Sequence, residues 1–79
     1  MKKYILDQIE EYYPVDNLDP DNAKIGQILL EKAKIQTGYI NWFADWREYP
    51  ENVLRQYLEN CIKFKNEVHD RIRIYFSSI

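Results

Sequence analysis

Leu54, Leu58, Cys61, Lys65, Val68, Ile72, Tyr75 and Ile79 follow one another at alternating steps of four and three residues. That spacing keeps one stripe of side chains on one side of an α-helix, whereas a strand would send neighbours to opposite faces. A second series, Glu51, Arg55, Glu59, Lys63, Glu67 and Arg71, changes sign at every four-residue step, so helical neighbours can pair. Each pair contributes only about 0.2–0.5 kcal/mol, yet both series report the same period. Tyr57, Ile62, Phe64 and Phe76 flank the stripe, making the apolar face wider than a two-stranded coil needs. Arg71 to Ile74 alternates as a strand would, but no second strand is available to join it. A long helix near 51–76 is predicted.

Prolines mark where the other helices end. One site runs from Pro14 to Pro20, the other is Tyr49-Pro50. Proline disfavours helix in the residue before it and suits the first turn of the next. Two further helices are therefore predicted, near 2–13 and 20–48. In the first, Ile5, Ile9 and Tyr12 share a side while Asp7, Glu10 and Glu11 lie opposite. In the second, Asp19 is a suitable N-cap, Pro20 fits the first helical position and Asp21 opposes the positive terminus. Its broad apolar face runs from Ile25 through Leu29, Ala33 and Tyr39 to Trp46, with Gln27, Lys34, Asn41 and Asp45 opposite. Gly26 and Gly38 are its weak points, and a bend is allowed near Gly38.

Seventy-nine residues make a single domain, 1–79. With only 2 Gly and 3 Pro, a turn-rich β-barrel is disfavoured. The predicted fold is all-α: a long antiparallel helical hairpin plus a short N-terminal helix, forming a three-helix bundle. Each long helix would run about 40 Å, and the short one would cover less than half of the groove between them. Apolar surface would then be left over, to be covered by a second copy in a larger bundle or by another protein. A bent second helix closing a compact monomer is the alternative.

Candidate contact residues follow from that geometry. Trp42, Trp46, Tyr49 and Tyr57 gather around the expected turn, and Tyr and Trp are frequent interface anchors. Trp42, like Phe43, lies mid-face, where core packing is the simpler account; Tyr49 beside Pro50 suits either role. A polar layer is also expected, with Gln36 level with Lys65 and Lys32 level with His69 inside the apolar arcs. An acid from elsewhere would satisfy it, or the lysines would extend past their stems to water. Lys63, Lys65, Arg71 and Arg73 supply an alternative nucleic-acid surface, which Glu67 and Asp70 interrupt. Gln36, Tyr39, Trp42 and Phe43 resemble the sliding-clamp binding box in spacing, with Tyr39 where an aliphatic residue is usual.

Catalytic and metal chemistry find little support. An EF-hand register starting at Asn17 would place Asn22 where glycine is required and Ile28 where glutamate is required. One His and one Cys do not make a zinc or di-iron set, so no metal and no cofactor is expected. Cys61 lies on the apolar stripe and reads as a small buried hydrophobe, not a nucleophile. No apolar run is long enough to span a membrane, and acids follow the first basic residues too closely for a signal peptide. The lone cysteine fits a reducing, cytoplasmic setting. Residues with AT-rich codons are abundant, as in genes of low-GC bacteria, their phages or plasmids, and certain archaea and their viruses. The expectation is a small, non-catalytic protein-interaction module, a regulator or inhibitor carried by a phage or other mobile element. A dimeric nucleic-acid-binding regulator is the alternative.

Overall fold

The computed structural model describes residues 1–77, so Ile79 of the stripe lies outside the described residues. Helix α1 spans Lys2–Glu10, α2 spans Pro20–Thr37 and α3 spans Glu51–Ser77. A single 3₁₀ turn, Trp46–Glu48, interrupts the connection between α2 and α3. There is no strand among the described residues. Both α1 and α2 pack on α3.

Helix α2 begins as its sequence dictates. Asp19 is extended, its carboxylate accepts the Asp21 N–H at 2.9 Å, and Pro20 opens the first turn. It ends eleven residues sooner than the periodicity suggests, at Thr37 instead of near 48. Gly38 is left-handed (φ 70°, ψ 20°); its N–H donates to the Ile35 carbonyl and the Tyr39 N–H to the Lys34 carbonyl. That paired closure satisfies the last carbonyls and turns the chain away. The expected hairpin of two equal 40 Å rods is thereby corrected. At 18 residues α2 is about 27 Å long, while α3, with 27 residues, is about 40 Å. Helix α1 is also shorter than expected, stopping at Glu10.

The chain from Tyr39 to Tyr49 folds back instead of extending the helix. Tyr39 and Phe43 each stand edge-on to Tyr49, at 5.6 and 5.3 Å between ring centres. Trp46 stands edge-on to Tyr57 at 5.9 Å, and its indole N–H donates to Asp16 at 3.1 Å. Tyr39, Phe43 and Trp46, which suggested a longer α2, thus reach the core from a loop, whereas Ile40 and Trp42 do not.

The core comprises Ile5 and Ile9 of α1, Leu29, Leu30 and Ala33 of α2, Trp46 and Tyr49 of the connection, and Val53, Leu54, Tyr57 and Cys61 of α3. The link between α1 and α2 presses on α2 at Gly26, where a Cβ would lie 1.9 Å from the Tyr13 carbonyl oxygen. The Tyr57 hydroxyl donates to that same carbonyl. Burial on α3 stops at Cys61: Phe64 and Val68 are half-buried, and every residue from His69 to Ser77 is exposed. The last turns of α3 therefore project beyond the core.

Candidate functional site

Three of the four candidate aromatic contact residues lie inside. Trp46, Tyr49 and Tyr57 are buried, so packing is their role. Trp42, the one assigned most readily to the core, is 68% exposed. It leaves the core because α2 has already ended, and it settles beside Lys34. The Lys34 ammonium lies 4.8 Å from the Trp42 ring centre and 5.5 Å from that of Tyr49, with Glu31 at 3.5 Å. The rings and Glu31 give the buried cation the partners it needs. Sequence periodicity assigned Lys34 to the outer face, since the returning loop that covers it leaves no periodic trace. Trp42, Phe43, Trp46 and Tyr49 line a hollow of about 200 Å³, smaller than the usual small-molecule pocket.

The polar layer does not form. Lys32, Gln36, Lys65 and His69 are all exposed, because the shorter α2 changes which residues stand level. Lys65 instead stacks on Tyr12, at 5.3 Å from the ring centre. Gln36 pairs with a residue the sequence did not single out. The side-chain amide of Asn60 donates to Gln36 Oε1 at 2.9 Å and to the Leu29 carbonyl at 3.2 Å. Gln56 donates to Asn60 Oδ1 at 3.2 Å, so the buried amide is satisfied on both ends. The clamp-box likeness dissolves in the same way: Gln36 is engaged by Asn60, and Tyr39 and Phe43 by Tyr49.

Another polar centre is Arg47. Its guanidinium donates to Glu10 and Asp16, both at 2.8 Å, and to Asp45 at 3.2 Å, while covering the Trp46 ring. Partial burial alone would raise the Asp16 carboxyl, but the hydrogen bonds from Arg47 and Trp46 and the Arg47 charge hold it below its ordinary value. Burial pushes the Cys61 thiol up to about 12. A protonated, wholly buried thiol is a poor nucleophile. No three His, Cys, Asp or Glu side chains group to hold a metal ion among the described residues. No helix among them is long and apolar enough to cross a membrane.

Lys63, Lys65, Arg71 and Arg73 of α3 are exposed but do not share a side. At about 100° per residue, Lys63 and Lys65 diverge by about 160°, as do Arg71 and Arg73. A duplex would meet at most one of each pair, and Arg73 also lies 3.9 Å from Asp70.

What remains is the projecting half of α3. Val68, Ile72 and Phe76 continue the side that carries Leu54 and Cys61 in the core. Ile72 is 49% and Phe76 67% exposed, whereas Leu54 and Cys61 are wholly buried. Tyr13, edge-on to Phe64 at 5.5 Å, and Tyr12 under Lys65 mark where cover from the rest of the chain reaches this helix. The outer side of α2 also exposes Ile28 and Ile35, but Glu31 and Lys32 stand between them. Comparison with protein-family models, with curated proteins and with solved structures returns no match.

Proposed function

We propose that this chain is a small non-catalytic interaction module that acts by binding a partner protein through the projecting half of α3. The observation that carries this reading is the continuation of the core-facing stripe through Val68 and Ile72, flanked by Phe76, beyond the point where the molecule covers it. A helix that maintains an apolar stripe in water bears a cost that only an occupant removes. Regulation or inhibition of the partner follows from occupancy alone, without chemistry of the module's own. Carriage by a phage or other mobile element is the biological setting that small size and AT-rich codon usage support.

The test is paired affinity capture from the source cells, with the natural chain and an Ile72→Ser, Phe76→Ser chain as baits. Both sites are exposed, so the double variant keeps the fold, which circular dichroism checks. A protein retained by the natural chain and lost from the variant is the expected result. Identical retained sets would remove this surface from consideration.

A further inference from the structure

The projecting stripe has a rim of one sign. Taking the line through Val68, Ile72 and Phe76 as the centre, Arg71 and Arg73 fall about 100° to either side. Lys65 lies within about 20° of that line at its near end, where its ammonium rests on Tyr12. Glu67 and Asp70 fall about 140° and 160° away, on the back of the helix. Within the projecting half, Lys65, Arg71 and Arg73 thus lie nearer the apolar stripe than Glu67 and Asp70 do, while Lys63 shares the back of the helix with those acids, although the whole chain carries a net charge of −2.

From this we infer that the occupant of α3 is an amphipathic helix of a partner protein whose own apolar stripe is bordered by Asp and Glu. The inference rests on the docking reading and names the chemistry of its partner. The four-three spacing continues through Val68, Ile72 and Tyr75, and it matches the knobs of another helix. Opposed carboxylates would sit against Arg71 and Arg73. A second copy of this chain fits poorly, since facing stripes would bring the arginine rims of both copies together. An anionic membrane is the weaker match as well: residues 62–77 hold four Lys and Arg but also two acids, and the exposed apolar stripe is narrow.

Two synthetic heptad peptides, with Leu at the seam and either Glu or Lys at every flanking position, distinguish these cases by fluorescence anisotropy on the full chain. The Glu peptide is expected to bind, more weakly as salt rises, and the Lys peptide about tenfold less well. Ile72→Ser is expected to abolish binding, and the Arg71→Glu, Arg73→Glu chain to reverse the preference. Equal binding of both peptides overturns the acidic partner and leaves the docking reading standing. Binding of neither, with paired capture still separating natural from variant baits, overturns the inference alone. Binding of neither together with identical capture overturns both. Light scattering that shows a dimer lost on Ile72→Ser replaces the partner with a second copy. Recruitment to phosphatidylserine vesicles without peptide binding replaces it with a lipid surface.

Discussion

Gly26 lies within α2 and Gly38 just past its end, and their substitutions should differ in cost for different reasons. A Cβ on Gly26 would meet main-chain atoms of Tyr13 and Pro14, which have no flexible end to swing aside. Gly26→Ala is expected to destabilise by about 2–3 kcal/mol, seen as a lower urea midpoint. Around Gly38 there is open space, but its φ of 70° is costly for a residue with a Cβ. Gly38→Ala should therefore cost only about 1–2 kcal/mol, the conformational term alone. Cys61 makes a further prediction at this level. Its thiol is wholly buried and pushed up to about 12, so an aromatic disulfide reagent should react only as fast as the chain opens. Reaction of the native protein at the rate of a free thiol would contradict that environment.

Helix α3 is one continuous element with two unlike halves. Up to Cys61 its inner side is core; beyond Val68 it is solvated all round. Hydrogen exchange should follow that division, with amides of residues 53–61 slowest and those of 69–77 fastest. Side-chain truncation should follow it too. Leu54→Ala is expected to cost about 2–5 kcal/mol, as a wholly buried leucine does. Ile72→Ser should stay within about 0.5 kcal/mol. A large loss of stability from Ile72→Ser would mean that the rest of the molecule covers it after all. Helix α2 makes the complementary point: its end is set by a left-handed glycine and two hydrogen bonds, although the residues after it could have continued an apolar face.

Across the molecule, Arg47 joins segments far apart in sequence: Glu10 at the end of α1, Asp16 in the link to α2 and Asp45 in the link to α3. These groups are substantially exposed, so each pair is individually weak. Asp16 among them gives stability a pH dependence of known sign. The Asp16 carboxyl is held below its ordinary value of 3.8, so the folded chain binds fewer protons there than the unfolded chain. Its contribution is complete above that value and is lost as pH falls through the lowered one. Thermal melts should show a falling midpoint below about pH 4, and Arg47→Met should flatten that fall. A midpoint that rises on acidification would reverse the assignment.

Helical class, the N-terminus of α2, the span of α3 and its apolar stripe were all legible in the residues themselves. Each rests on neighbours within four positions, and local spacing records such contacts faithfully. The end of α2, the burial of Lys34 and the pairing of Asn60 with Gln36 were not legible. The first turns on a left-handed glycine inside a run of apolar residues that could have continued the helix, and the second on the Tyr39–Tyr49 segment folding back over Lys34. The third joins residues 24 apart, which leave no periodic mark on each other. The same cause misplaced the candidate site. Periodicity marks which side of a helix is apolar, and it marked that side on α3 correctly. Whether that side meets other atoms or water depends on the reach of α1, α2 and their links, which tertiary packing alone decides.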